Sequence, residues 1–500
     1  MDKTTRTLYF ILLVTGGAAI LIYCFGGGIS GNDFWWHVKT GQWICAHKTV
    51  PARDLFSWYG TAHDFAWTAH EWLAEVILWH AYSAFGEAGI FLFSLLAAIC
   101  MIMLLTFQIR VHLTESCLAA GFYICMFCVV SSVFFYGRPQ IFAFFLLYGE
   151  LYCLYEYREG RKRQCIWLVP LIACLWSNLH GGSANLSYLL VLVTLLAGIK
   201  EWKFGRIYGE KWTGAELGQL LLILLATMGA VCANPVGPEI FVYPYISMTD
   251  QLMMNLISEW AAPDAKKLGQ LINYFIPILV LCSGVIFGKR KVKAQDAALM
   301  LFFLFLFFRS TRFIIWFYIS AAFWAFPYML PCRLKNVEKR LEKGMVVCVE
   351  FALLAACGAG LGTCCETYKN GNLISRVLEE EMLEVIREDA PSRIFNDYNY
   401  GGALIYAGLP VFIDERADLY KQDCLLADGV SLMLMQQVNS DAGTVVLDPK
   451  ALIDRYGFDA FLVDMSRPLY AYLRSHEELY KEVMTQGSAA YFASVWSSED

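Results

Sequence analysis

Acidic and imidazole side chains are concentrated near the start of the chain, in the stretch GNDFWWHVKTGQWI at residues 31–44. Asp33 and His37 are four residues apart, so on a short helix they would share one face. Five of the eight histidines fall between residues 37 and 80, and His70 is followed directly by Glu71. A carboxylate close to an imidazole is suited to general acid–base chemistry. These residue types and spacings mark the segment as a candidate functional site.

The composition predicts a membrane protein with many spans. Apolar residues make up 58% of the 500 residues, only 17% are charged, and the mean hydropathy is positive. Soluble proteins contain fewer apolar residues, and the mild net charge of −6 gives no indication of a nucleic-acid partner. An ionisable residue at a membrane boundary is a functional candidate by default, and this applies to Asp33.

Apolar runs long enough to span a bilayer predict a bundle of about eleven transmembrane helices. They begin near residues 8, 88, 116, 139, 165, 184, 216, 271, 295, 313 and 345. Basic residues are concentrated in alternate connections such as REGRKRQ and GKRKVK. The positive-inside rule then predicts a cytoplasmic N-terminus and an extracytoplasmic C-terminus.

With this orientation, the polar segments rich in turns and aromatic residues all fall on the outer face, which predicts one composite site there. YGRPQ and RSTRF supply arginines that suit a phosphate, because guanidinium meets phosphate oxygens bidentately; snorkelling to lipid headgroups is the alternative. The candidate phosphate-binding residues are Arg138, Arg309 and Arg312. The candidate substrate-binding residues are Trp36, His70, Asn178, His180, Glu259 and Trp260.

The chain divides into a transmembrane domain at residues 1–365, with a long first outer loop at residues 26–71, and a C-terminal domain at residues 366–500. In the C-terminal domain the charge rises and strands alternate with helical patterns. This alternation predicts an extracytoplasmic α/β domain with a largely parallel sheet. Its segment VFIDERADLY carries Asp414, Glu415 and Asp418, for which a structural role is favoured over a catalytic one.

The order of several segments in this chain resembles that of a group of bacterial polytopic membrane proteins. The segments are DFWWHVKTGQWI, HEWLAEV, GRPQIF, WSNLHGG, NPVGPEIFVYP, SEW, RSTRF and IFNDYNYGGALIYAGLPVFIDERADLY. That group is similar to the GT-C class of membrane glycosyltransferases, which includes protein O-mannosyltransferases and oligosaccharyltransferases. The resemblance implies a GT-C-like bundle that transfers a sugar from a polyprenyl-phosphate-linked donor at the extracytoplasmic face of the bacterial inner membrane. The acceptor would be a glycan, a lipid or a protein.

The resemblance also implies roles for individual residues. Asp33 would be the general base or a ligand to a divalent cation such as Mg²⁺ or Mn²⁺, with His37 and Glu71 as further catalytic residues. The arginines named above would hold the donor phosphate. The sequence carries DFWWH where many GT-C enzymes carry a paired acidic motif, so metal dependence is left open.

Three other kinds of function remain open. A lipid-linked glycan transporter would place ionisable residues inside its spans and often shows repeated halves. Here the span interiors carry few charges, Glu150 and Glu350, and no internal repeat is visible, which favours surface chemistry. A non-catalytic cell-envelope assembly protein, or an acyl- or phosphotransferase that uses His37 or His180, is the further alternative.

Overall fold

A computed structural model describes residues 3–28, 31–111, 113–329, 343–369, 373–374, 377–438 and 448–495. The protein is mostly helical, at 68%. The chain forms two compact units. The first unit comprises residues 1–29, 85–244 and 258–373, and the second comprises residues 30–84, 245–257 and 374–500.

The first unit is built from apolar helices. Its α-helices are Lys3–Phe25, Leu113–Phe134, Gln140–Arg158, Val169–Leu179, Asn185–Ala197, Gly214–Val231, Leu268–Gln270, Ile276–Phe287, Ala294–Arg309, Ile314–Trp324 and Lys343–Lys369. Short 3₁₀ segments lie at Arg163–Leu168, Gly181–Ser183, Gly237–Phe241, Thr311–Phe313 and Phe326–Tyr328, and a π-helical turn lies at Leu271–Phe275. Two further helices, Trp72–Ile109 and Tyr243–Thr249, run through the points at which the chain changes unit.

Three helices of the described residues are long and apolar enough to cross a membrane: Trp72–Ile109, Gly214–Val231 and Leu268–Phe287. Shorter apolar helices include Tyr9–Phe25, Ala119–Phe134 and Gly181–Ala197. These helices indicate a membrane protein, whereas the bundle of eleven spans is not confirmed. Several predicted spans contain helices shorter than the roughly 20 residues that a bilayer requires. For example, the helix Val169–Leu179 has a proline in its first turn and ends before the two glycines of LHGG.

A three-stranded sheet completes the first unit. Strands β1 (Trp202–Phe204) and β2 (Ile207–Gly209) form an antiparallel hairpin, with Gly205 in the left-handed region at its turn. Strand β3 (Val292–Lys293) pairs with β2 in parallel. Connections that read as charged loops in the sequence therefore contain ordered β structure.

The second unit combines the first polar segment with the C-terminal region. Its helices are Asp33–His47, Trp58–Ala62, Gln251–Leu256, Glu380–Asp389, Gly401–Ala407, Leu425–Leu434, Pro449–Tyr456 and Pro468–Arg474, with 3₁₀ segments at Tyr398–Tyr400 and Leu419–Cys424. The predicted outer loop at residues 26–71 thus contains a regular helix of 15 residues, Asp33–His47. Asp33 lies in its first turn, where a carboxylate interacts favourably with the helix dipole.

A four-stranded sheet lies in the C-terminal region, in the order β4-β5-β7-β6. Its strands are β4 (Ile394–Asn396), β5 (Ala460–Asp464), β6 (Tyr480–Gln486) and β7 (Ala489–Ser494). Only β4 and β5 pair in parallel, so the prediction of a largely parallel sheet was wrong. The turn at Gly487, whose φ is 59°, joins β6 and β7 in a tight hairpin, and such a turn requires antiparallel pairing.

The segment LPVFIDE reads as a strand in the sequence but forms only one bridge, between Val411 and Ser57. The side chain of Asn396 takes the place of a neighbouring strand. Its Oδ1 accepts from the Phe412 N–H at 2.7 Å, and its Nδ2 donates to the Ile413 carbonyl at 2.7 Å. Since Asn396 is fully buried, these bonds satisfy backbone groups that would otherwise be costly to bury.

Candidate functional site

Asp33 and Glu415 are electrostatically coupled within the second unit. Burial raises the pKa of Glu415 well above its usual value, and the charges of Asp33 and Asp414 raise it further. The Gly402 N–H donates to Glu415 Oε2 at 3.0 Å. A Cβ at Gly402 would lie 2.5 Å from the carbonyl oxygen of Asn32, so this glycine permits the close approach. A carboxyl group whose pKa is raised in this way can act as an acid.

His37 lies between two glutamates. Its Nδ1 is 3.1 Å from Glu75 Oε1, and its Nε2 is 3.7 Å from Glu71 Oε2. His70 extends the series, with Nε2 3.7 Å from Glu71 Oε1. Side-chain exposure rises along the series, from 1% for Glu75 and 4% for His37 to 12% for Glu71 and 18% for His70. The arrangement links a buried carboxylate to a partly exposed imidazole through groups that can carry protons.

Close helix packing positions His37. Gly41, one turn further along the helix Asp33–His47, lies so near the next helix that a Cβ there would be 2.1 Å from the Glu75 carbonyl oxygen. The ring of Trp36 lies against the imidazole of His37, with 3.6 Å between ring centroids, and also packs against Trp67. Trp36 is itself only 7% exposed. Its observed role is therefore packing beside His37, and the predicted substrate contact stays a prediction.

His37, Glu71 and Glu75 are also the described residues that could hold a metal ion. One ligand atom from each lies within 4.8 Å of the other two. Asp33, the metal ligand that the resemblance implied, is not one of the three. Sequence reasoning named His37 and Glu71 but missed Glu75, which is four residues after Glu71 and therefore on the same face of a helix.

A buried charge network joins the first polar segment to the segment VFIDERADLY. Arg416 donates from Nε to Asp414 Oδ1 at 2.8 Å and from Nη2 to Asp414 Oδ2 at 2.6 Å, and its Nη1 lies 3.0 Å from Asp54 Oδ1. The hydroxyl of Tyr420 donates to Asp414, and the guanidinium lies 4.6 Å from the ring centroid of Trp67. All the charged side chains of this network are at most 2% exposed. Asp414 thus has a structural position, as the sequence favoured.

Two of the predicted phosphate-binding arginines meet in the first unit. Arg138 Nη1 donates to Glu259 Oε1 at 2.9 Å, and the guanidinium of Arg312 lies 4.8 Å from the ring centroid of Trp260. Burial acts to raise the pKa of Glu259, but the charges of Arg138 and Arg312 outweigh this effect and lower it. The side chains of Arg138 and Glu259 are 19% and 28% exposed. Four residues predicted from three separate segments therefore lie together.

The segment RSTRF fixes the position of SEW through its backbone and short side chains. The carbonyl oxygen of Glu259 accepts from Ser310 Oγ at 2.9 Å, Thr311 Oγ1 at 3.0 Å and the Arg312 N–H at 2.9 Å. The Thr311 N–H donates to the Ala261 carbonyl at 3.0 Å. These bonds form because the helix Ala294–Arg309 ends at Ser310, which adopts an extended conformation.

The remaining predicted residues of the first unit have local contacts. Asn178 Nδ2 donates to the Ala233 carbonyl at 2.8 Å, and His180 Nδ1 lies 2.6 Å from Ser183 Oγ. Both Asn178 and His180 are buried. Arg309 lies at the C-terminal end of the helix Ala294–Arg309, where a cation interacts favourably with the helix dipole. A single pocket shared by all the predicted residues stays a prediction.

Comparison of the chain with protein-family models and with curated proteins found no match.

Proposed function

We propose that the protein is a membrane glycosyltransferase that moves a sugar from a polyprenyl-phosphate donor to an acceptor at the extracytoplasmic face. The proposal includes a bundle of about eleven spans with the N-terminus inside and the C-terminal domain outside. The observation that carries it is the convergence of Arg138 and Arg312 on Glu259 beside Trp260.

This cluster has the charge and geometry of an anion site. Arg138 donates to the carboxylate of Glu259, and the charges of Arg138 and Arg312 both act on that carboxylate. Guanidinium groups bind phosphate oxygens bidentately, and Trp260 offers an aromatic face beside Arg312. The partial exposure of Arg138 leaves room for exchange of its Glu259 contact for a phosphate oxygen.

The acid–base chemistry is assigned to Asp33. In the transfer step the acceptor oxygen forms a bond to the anomeric carbon, and the bond from that carbon to the phosphate oxygen breaks. The acceptor proton passes to Asp33, and the leaving polyprenyl phosphate keeps the electron pair. The raised pKa of Glu415 favours the neutral form of this neighbour, which reduces the negative charge beside Asp33.

The test uses the full-length protein in nanodiscs. Binding is measured with polyprenyl monophosphate, and transfer is measured with a panel of radiolabelled hexosyl and pentosyl polyprenyl phosphates. Asp33→Asn should abolish sugar transfer and keep polyprenyl phosphate binding. Loss of a charged hydrogen bond costs about 1.5–3 kcal/mol, so Arg138→Ala and Arg312→Ala should each weaken binding by about 10-fold or more.

The control is Arg387→Ala, which removes an exposed arginine of the second unit. It should leave both binding and transfer unchanged. The proposal fails if the wild-type protein releases no sugar from any donor of the panel, if Asp33→Asn keeps full activity, or if the arginine variants bind polyprenyl phosphate as the control does.

One observation favours the transporter alternative. Glu150 is fully buried within the helix Gln140–Arg158, in an apolar setting. Ionisable residues inside such helices are often part of substrate or proton pathways. Under the glycosyltransferase proposal Glu150→Gln should leave sugar transfer unchanged, whereas a transporter that uses Glu150 would lose movement of the lipid-linked glycan across proteoliposomes.

A further inference from the structure

We infer that His37, Glu71 and Glu75 form a binding site for one divalent transition-metal ion, with Zn²⁺ as the preferred ion. Metal binding at these residues does not depend on sugar transfer. All three residues lie in the second unit.

The separations of the three side chains suit shared coordination. Ligand atoms about 2.0–2.2 Å from a tetrahedral zinc ion lie about 3.3–3.6 Å from one another. His37 Nδ1 lies 3.1 Å from Glu75 Oε1, which is close to this separation. Only one ring nitrogen binds a given ion, so the 3.7 Å contact of His37 Nε2 with Glu71 Oε2 is a neighbouring contact and not a second separation of this kind. One ligand atom from each residue lies within 4.8 Å of the others, so small rotations of the carboxylates would complete the site.

Glu75 supplies a second, independent observation that points to a ligand. The residue is 1% exposed, and its Oε2 is buried with no hydrogen-bond partner among the described residues. An unsatisfied carboxylate oxygen is costly to bury. A metal ion bound in this cluster would give that carboxylate a compensating partner.

Charge balance leads to the same conclusion. Glu71 and Glu75 bring two carboxyl groups against a single imidazole. The nearby Arg416 is already engaged by Asp54 and Asp414. A divalent ion would neutralise both carboxylates at once, which is how buried charges are commonly accommodated.

The framework around the site is rigid, as a metal site requires. Gly41 lets the helix Asp33–His47 approach the backbone of Glu75, and Trp36 packs against the ring of His37. Ligands held on packed helices lose little conformational entropy on binding an ion. The set of one imidazole nitrogen and carboxylate oxygens suits Zn²⁺ or Mn²⁺ better than Mg²⁺, which prefers oxygen ligands and retained waters.

The test uses the full-length protein in detergent, stripped of metal with a chelator and then loaded separately with Zn²⁺, Mn²⁺ or Mg²⁺. Bound metal is measured by mass spectrometry, and affinity by competition with a chromophoric chelator. We expect one equivalent of zinc. Loss of a group that only supports a metal ligand already lowers metal affinity by about 10–100-fold. Loss of a ligand should cost more, so His37→Gln, Glu71→Gln and Glu75→Gln should each weaken zinc binding by at least about 10-fold.

Matched controls are His63→Gln and Glu388→Gln, which change the same residue types at exposed positions. Both should bind zinc as the wild type does. Equal affinity in the controls and in the three ligand variants would overturn the inference, as would the absence of stoichiometric zinc in the wild-type protein.

X-ray absorption at the zinc edge tests the inference without any variant, in case a substitution prevents folding. The chain has 17 cysteines, which are competing zinc ligands. The proposed site predicts nitrogen and oxygen scatterers with one imidazole and no sulfur. Sulfur in the first coordination shell would place the zinc on cysteine and overturn the assignment. Sugar transfer is not measured in this experiment, so failure of the metal site and failure of the proposed reaction remain distinguishable.

Discussion

Arg416→Ala should be among the most destabilising single changes in the second unit. Arg416 is 3% exposed, donates twice to Asp414 and forms an ion pair with Asp54 at 3.0 Å. Its removal would leave two fully buried carboxylates without their cation. Breaking a buried ion pair in this way costs about 3–5 kcal/mol, because the remaining charges keep their desolvation cost.

The assay is thermal unfolding followed by tryptophan fluorescence in detergent. For a unit of 150–250 residues, 1 kcal/mol shifts the unfolding midpoint by about 2–4 °C, so Arg416→Ala should lower the midpoint by about 6–20 °C. The matched control is Arg455→Ala, whose side chain is 48% exposed and lies 3.7 Å from Asp428. Arg455 is largely solvated, and the buried Asp428 keeps the hydrogen bond from the Tyr456 hydroxyl when Arg455 is removed, so the control should shift the midpoint by a few degrees at most.

A triple variant separates charge from packing. Asp54→Asn, Asp414→Asn and Arg416→Met together remove every charge of the network and keep most of its volume. Replacement of a whole buried ion network by neutral groups is often close to neutral, so this variant should recover much of the loss. If Arg416→Ala unfolds at the same temperature as Arg455→Ala, the network does not hold the unit together and the reasoning fails.

Three further changes test other contacts. Glu415→Gln should stabilise the protein at pH 7, because the wild type must keep a proton or bury a charge, and the difference should vanish below the ordinary pKa of 4.5; an unchanged midpoint at pH 7 would contradict the raised pKa. Glu259→Gln should destabilise the protein by about 1–3 kcal/mol at pH 7. Since the pKa of Glu259 is lowered, the difference in stability should persist to below pH 4.5 and disappear only as the pH falls through the lowered pKa. Denaturation midpoints measured as a function of pH test this. Gly41→Ala should lower the unfolding midpoint and weaken zinc binding, because its Cβ would overlap the Glu75 carbonyl, whereas Gly218→Ala, with open space around it, should do neither.

The membrane class and many helix positions could be predicted from the sequence. Apolar runs such as the one that forms Trp72–Ile109 are visible without any knowledge of packing, because burial in lipid requires continuous hydrophobicity. The segment of residues 26–71 was predicted as a loop, and the spacing of Asp33 and His37 placed them on one face only on the condition that a helix formed there, as it does at Asp33–His47. The number of spans did not follow, since proline and glycine pairs shorten helices inside apolar runs.

The sheet shows a second limit of sequence reasoning. The alternation of helices and strands after residue 390 is clear in the sequence, and β4, β5, β6 and β7 lie where it predicts. The pairing direction depends on the turn at Gly487, and the missing strand at Val411 depends on one buried side chain, Asn396. Neither signal is periodic, so a reading based on hydrophobic pattern does not detect them.

The sequence by itself determined the residue types of the candidate sites, because arginines, carboxylates and imidazoles in apolar surroundings stand out by composition. It also marked SEW and RSTRF as functional segments before their contacts were known. Only the tertiary structure decided which of these residues meet: Arg138 and Arg312 at Glu259, and His37 between Glu71 and Glu75. The physical reason is that such contacts join side chains that are far apart in the chain. The distances between them depend on how closely the helices pack, and at Gly41 the close packing is possible because glycine has no Cβ.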